Sequence, residues 1–143
     1  MNTQPVIQSL ENYHNSSVSE NFSLEPTRIT PSVLLDETRE CLIIKGRSCP
    51  DNAQKFYNQI NDSITNYLKK GTKHFIANFN LEYFNTSSSK CLFSLFDTLK
   101  TAKANGVDID INWYYEEDDE DMLECGEDYA EMTEMEFNYI VVQ

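Results

Sequence analysis

A chain of 143 residues with 40% hydrophobic content suits one domain with a single core, and no apolar run exceeds four residues, which excludes a membrane-spanning helix. The net charge of −13 is local: 12 of the 24 acidic residues fall between positions 116 and 136, a segment without Lys or Arg, and the other 12 acids nearly balance 11 bases. That distribution disfavours nucleic acid as a partner and gives no basis for membrane insertion, because polyanions and anionic lipid surfaces repel it.

The first twenty residues are rich in Asn, Ser and Gln, lack apolar periodicity, and have neither a basic start nor an apolar signal core. They read as a flexible N-terminal arm, residues 1–20, ahead of one domain at 21–143, and the expected compartment is the cytoplasm. Residues 22–25, 32–36 and 41–45 predict three short strands of an antiparallel meander, punctuated by Pro26-Thr27-Arg28-Ile29-Thr30-Pro31 and by Gly46. Ser48-Cys49-Pro50-Asp51 then predicts a helix start, with Ser48 as cap and Pro50 in the first turn. Ala53, Phe56, Tyr57, Ile60, Ile64, Tyr67 and Leu68 keep helical spacing up to Lys69-Lys70-Gly71.

Residues 74–83 alternate as a central strand, with Phe75, Ala77, Phe79, Leu81 and Tyr83 on one side and Ile76 and Phe84 on the other. From about Ser87 the stripe Cys91, Leu92, Leu95, Leu99 and Ala102 marks a second helix that closes at Asn105-Gly106. Val107, Ile109, Ile111 and Trp113 form the next strand, residues 121–132 a short acidic helix, and residues 137–142 a last strand. Strand and helix alternating with short connections imply right-handed parallel crossovers, hence an α/β domain whose mixed sheet has an antiparallel start and a parallel body, with helices packed on it. Phe56, Ile60, Ile64, Phe79, Leu92, Leu95, Leu99 and Ile111 are the expected core.

The most informative stretch is Tyr83-Phe84-Asn85-Thr86-Ser87-Ser88, where the strand hands over to the helix. Thr86 or Ser87 stands there at the positive end of a helix dipole, where the local sequence alone favours a hydroxyl that caps the helix over one that accepts a phosphate. In parallel sheets functional groups gather at strand carboxyl ends, and the acidic run from Glu116 to Asp121 ends the adjoining strand if the two strands are neighbours. A run of carboxylates suits a solvated loop, a patch for a basic partner, or a divalent cation. The absence of a D-x-[DN]-x-[DN]-G loop and of any nearby His argues against the last, and no metal or cofactor is expected. An enzyme or metal-binding protein using this cluster is the alternative. The histidines, His14 and His74, lie away from both segments, and no nucleophile elbow or phosphate-binding loop is present. Cys41, Cys49, Cys91 and Cys125 form no CxxC pair and read as reduced packing thiols.

Together with Gly46-Arg47-Ser48-Cys49-Pro50, the proline-flanked turn, the Tyr-Phe-Asn-Thr-Ser-Ser block and Trp113-Tyr114-Tyr115 followed by the acidic run, the chain from Phe22 onward resembles the SiaC family of bacterial regulatory phosphoproteins, whose fold is similar to STAS domains of anti-sigma-factor antagonists. The resemblance implies a non-catalytic phospho-switch in bacterial signalling. A protein Ser/Thr kinase would modify Thr86, with Ser87 as fallback, and a metal-dependent Ser/Thr phosphatase would reverse it. The unmodified form would bind an effector, in the family a diguanylate cyclase of biofilm-type c-di-GMP control. The surface expected to meet these partners comprises Asn85, Ser87, Ser88, Tyr115, Glu116, Asp118, Asp119 and Asp121.

Overall fold

The computed structural model describes residues 21–143; the arm expected at 1–20 lies outside the described residues. The elements in order are β1 (Phe22–Leu24), β2 (Ser32–Asp36), β3 (Cys41–Ser48), α1 (Ala53–Leu68), β4 (His74–Phe84), α2 (Thr86–Ala104), β5 (Asp108–Glu116), α3 (Glu120–Thr133) and β6 (Asn138–Val142). They build one six-stranded sheet whose spatial order is the chain order. β1, β2 and β3 pair antiparallel, and β3 to β6 pair parallel, as the element pattern predicts.

Because each right-handed crossover advances the strand order in the same direction, α1, α2 and α3 all lie on one face. Burial shows this directly. Val33, Leu35, Leu42, Ile44, Phe75, Ala77, Phe79, Ile111 and Trp113 face the helices and are buried, whereas Ile43 and Ile76, one residue out of phase, are more than a third exposed. On the open face an asparagine ladder crosses three strands: Asn138 Nδ2 donates to Asn112 Oδ1 at 3.0 Å, and Asn112 Nδ2 to Asn78 Oδ1 at 2.9 Å.

α1 presents Ala53, Tyr57, Ile60, Ile64 and Tyr67 to the sheet, and Phe56, expected in the core, is only half-buried because Tyr57 holds the inward position. The start of this helix differs from the sequence reading. β3 continues through Ser48, which pairs with Phe84, so Asn52 is the cap and accepts from Lys55 N–H at 3.0 Å. The pairing energy of a fully formed strand end outcompetes a cap at Ser48, whose side chain turns inward and is buried.

A second difference follows from a bulge. The β3–β4 register steps from Gly46↔Leu81 to Arg47↔Tyr83, leaving Glu82 as the extra residue on β4. Gly46 adopts φ 121°, a conformation that L side chains rarely take. The extra residue reverses the alternation. Tyr83 is 46% exposed beneath the Arg47 guanidinium, while Phe84 turns inward against Trp113 and Tyr129.

Trp113 centres an aromatic cluster with Phe79, Phe84, Phe96, Tyr129 and Phe137. Its indole N–H donates to the Met122 carbonyl at 2.8 Å, which docks α3 onto the sheet. Gly126 makes this approach possible, since a Cβ there would stand 2.5 Å from Trp113 Cδ1. Gly→Ala within a helix ordinarily stabilises by about 1 kcal/mol. Here overpacking against a rigid indole costs about 1–3 kcal/mol and reverses the sign. Gly126→Ala is therefore expected to lower the urea unfolding midpoint, and a raised midpoint would contradict this packing.

Candidate functional site

The chain leaves β4 at Phe84 and enters α2 at Thr86 with Asn85 between them in an extended conformation. Asn85 is the cap: its Oδ1 accepts from Ser88 N–H at 2.9 Å. Capping is thus discharged one residue before the candidate threonine. Thr86 and Ser87 are exposed, and Ser87 Oγ makes a long 3.4 Å contact to Asn85 Oδ1. Ser89 Oγ donates to the Thr86 carbonyl at 2.7 Å. Among the described residues the Thr86 hydroxyl has no hydrogen-bond partner.

Ser88 is not a surface residue, which corrects its place among the partner-contacting positions. It is completely buried and belongs to a hydroxyl knot beneath the site. Ser88 Oγ donates to the Ser48 carbonyl at 3.1 Å, the same carbonyl that accepts from Asn85 N–H at 3.0 Å. Ser48 Oγ donates to Ser88 Oγ at 2.9 Å and lies 2.6 Å from Tyr57 Oη. With the Ser48 proton directed at Ser88, Tyr57 is the donor in the remaining pair. Burial pushes the Tyr57 phenol up to about 12 against the opposing effect of its bond to Ser48, so the donor is present throughout the working pH range. Three elements, β3, α1 and α2, are joined at this point.

Thr86, Ser87 and Lys90 share a wide cleft with Asp51, Asn52 and Gln54 at the start of α1. Two helix N-termini therefore open onto the same space, and neither carries an acidic residue in its first turn. The third helix differs. Asp119 caps α3 by accepting from Met122 N–H at 3.0 Å, and Glu120 and Asp121 occupy its first turn, where they complement the dipole. β4 and β5 are hydrogen-bonded neighbours, so the hydroxyl site and the acidic turn occupy one edge of the sheet, as expected.

Glu116, Asp118 and Asp121 are exposed, whereas Asp119 is half-buried with its carboxylate engaged in capping. Tyr115 is half-buried against the core, and Trp113 is the fully buried member of the aromatic triplet. Among the described residues no group of three His, Cys, Asp or Glu side chains is arranged to hold a metal ion. His74 lies at the opposite edge, where its Nδ1 is 3.2 Å from Asp108 Oδ2. Burial, the leading cause in each case, pushes the thiols of Cys91 and Cys125 up and that of Cys41 up to about 11, which leaves them neutral.

Sequence reasoning passed over Tyr57, Tyr129 and the inward role of Ser48, all of which position the site. Tyr57 stood in the apolar stripe of the first helix and Tyr129 within the acidic helix, and no periodic pattern distinguishes a tyrosine whose hydroxyl finds a specific partner. Tyr129 Oη donates to the Ser89 carbonyl at 2.8 Å, tying α3 to the first turn of α2.

Fold and site define a class: a small α/β domain with an accessible hydroxyl at a helix start, held by buried hydrogen bonds. The profile of the SiaC family regulatory phosphoproteins matches residues 24–142, and the chain belongs to that family. It is 29% identical over 105 residues to an uncharacterized protein of Pseudomonas aeruginosa strain UCBPP-PA14, spanning 73% of this chain and 83% of that one. The crystal structure of apo-SiaC from Pseudomonas aeruginosa superposes with a TM-score of 0.78 at 25% identity, covering 85% of this chain and 99% of that chain. The crystal structure of the diguanylate cyclase SiaD in complex with its activator SiaC, from the same organism, gives 0.80 at 26% identity with the same coverage.

The knot makes an ordered prediction. Ser88→Ala leaves two buried hydroxyl protons, those of Ser48 and Tyr57, with only one bond to make between them, a penalty of about 1–3 kcal/mol. Tyr57→Phe removes a donor and strands no proton. Urea unfolding is expected to rank Ser88→Ala as more destabilising per hydrogen bond lost, and the reverse order would overturn the donor assignment.

Proposed function

We propose that the protein is a non-catalytic phospho-switch in which Thr86 is reversibly modified. A partner Ser/Thr kinase phosphorylates it, a metal-dependent Ser/Thr phosphatase restores it, and the unmodified form binds and activates an effector such as a diguanylate cyclase. The observation that carries this reading is the freedom of the Thr86 hydroxyl: it is exposed and unpartnered among the described residues, while Asn85 serves as the cap and Ser88 is buried. Family membership supports the regulatory role, and the activator function of the SiaC that superposes on this chain supports a cyclase as effector.

Electrostatics favour a switch at this position. Phosphate adds about −1.5 to −2 charges. The first turn of α2 lacks acids and Lys90 lines the same cleft, so the modified helix start tolerates the charge. Where a partner packs against the bare Thr86 hydroxyl, a bulky and strongly hydrated phosphate displaces it, so modification opposes binding through steric bulk and desolvation. Asn85, Ser87, Glu116, Asp118 and Asp121 are the surface proposed for partner contact, with Tyr115 supporting it from below. Non-catalytic action is supported by the neutral thiols and by the place of His74 at the far edge. Free, mutually unpaired cysteines suit a reducing cytoplasm.

Thr86→Ala is expected to resist the kinase, to keep the fold and to bind the effector, whereas phosphorylated protein binds it at least about tenfold more weakly, a change of only about 1.4 kcal/mol. Equal affinities for the two forms, or phosphate mapped by mass spectrometry to Ser87 alone, would refute the assignment. Asp118→Asn combined with Asp121→Asn is expected to slow partner association at low ionic strength and to have little effect at high ionic strength. Stopped-flow association rates that are identical at both would remove the acidic turn from the interface.

A further inference from the structure

α2 and α3 lie side by side, and between them runs an open groove of about 440 Å³. Its lips are Phe93, 39% exposed, and Met132, 57% exposed; its floor is Phe84, Tyr129 and Cys125. We propose that this groove receives an amphipathic helical segment of the effector, seating its apolar side chains between Phe93 and Met132 and its Lys or Arg side chains along the acidic rim of α3. The proposal rests on the Thr86 reading for its link to switching and on the groove itself for binding.

The apolar argument is one of concentration. Two of the large exposed side chains of the described fold face each other across one groove, and a contiguous exposed patch of this kind marks an interaction site where a lone exposed residue does not. Met132 and Phe93 offer an adaptable and a rigid wall, a combination that grips aliphatic side chains. Both walls are helices whose backbone bonds are made internally, so no free strand edge is offered to an incoming β-segment, and a helix laid along the groove is the geometry that fits.

The charge argument fixes the partner's chemistry. Asp128 lines the groove, and Asp121 and Glu124 on the same helix are exposed with no basic residue among them. Their field reaches the floor: after burial, Asp128, Asp121, Asp119 and Glu124 are what push the Cys125 thiol up. Among the described residues Lys90 is the one cation lining the groove, and it sits at the end nearest Thr86. That end is continuous with the switch, because Tyr129 Oη holds the Ser89 carbonyl at 2.8 Å and Ser89 Oγ holds the Thr86 carbonyl at 2.7 Å. Thr86 does not itself line the groove; its backbone carbonyl is one hydrogen bond from Ser89, which does.

The test titrates the full chain against a fluorescein-labelled helical peptide with Leu at i, i+3 and i+7 and Lys on both flanks, with a Glu-for-Lys peptide and a scrambled peptide as controls. The basic amphipathic peptide is expected to bind, and to bind more weakly as ionic strength rises. Phe93→Ser and Met132→Ser, both at exposed positions, are each expected to weaken it about tenfold while leaving the thermal midpoint unchanged. Equal binding of the scrambled peptide, or wild-type affinity in both variants, would overturn the proposal. So would concentration-dependent dimerisation in the ultracentrifuge that Phe93→Ser abolishes, since the groove would then belong to a second copy of this chain. Binding lost in Phe93→Ser but unaffected by Thr86 phosphorylation would establish the groove and remove Thr86 as its switch. Phosphorylation-sensitive effector binding that ignores both groove variants would do the opposite.

Discussion

The carbonyl of Ser48 is the point on which the functional end of this molecule depends. It accepts from both the Asn85 amide and the Ser88 hydroxyl, so one backbone oxygen at the end of β3 fixes the origin of α2. The geometry that delivers it is set two residues earlier, where Gly46 and the extra residue on β4 shift the register until Ser48 pairs with Phe84. Were the strands to continue unbulged, Tyr83 would point inward and the carbonyl would address a different residue. Buried hydroxyl networks of this kind stabilise when fully satisfied and are costly when partly so, which makes the position of Thr86 stiff relative to the surface around it.

One-sided winding sets the remaining layout. Sequential strand order places the three described helices on one face, so one core serves them all and the aromatic cluster around Trp113 can bridge β4, β5, α2 and α3. The same arrangement leaves no reversal of strand order within the described sheet and therefore none of the crevice that doubly wound sheets use to enclose small ligands. What stands at the carboxyl edge is surface: an exposed hydroxyl, a capped acidic turn and a groove between helices. Surfaces of this sort recognise macromolecules, in keeping with a regulatory phosphoprotein.

The acidic segment combines a local structural role with the proposed role in partner contact, and the two do not compete. Asp119, Glu120 and Asp121 stabilise the start of α3 by capping and by complementing its dipole. The acids further along α3 face solvent and contribute no comparable local bond, so their collective field is available for steering partners. Lys100, on α2, meets one of the last acids at 3.5 Å through Glu134, an exposed pair that contributes little.

The order and type of every described element were legible in the chain, because apolar periodicity of 3.6 or 2 residues is a local property that any correct tertiary arrangement must respect. Asn105-Gly106 and the acidic start of α3 were legible for the same reason: caps and dipoles act within a few residues. The family resemblance and the threonine it singles out also came from local blocks. Tertiary structure alone decided that Ser48 ends a strand and turns inward, that Phe84 and not Tyr83 faces the core, that Tyr57 displaces Phe56, and that Ser88 is buried. Each depends on pairing between β3 and β4 or on packing across the sheet, and the energies involved join residues some forty positions apart. No local pattern carries that information, so the sequence determined which hydroxyls were candidates, and only the fold decided which one was left free.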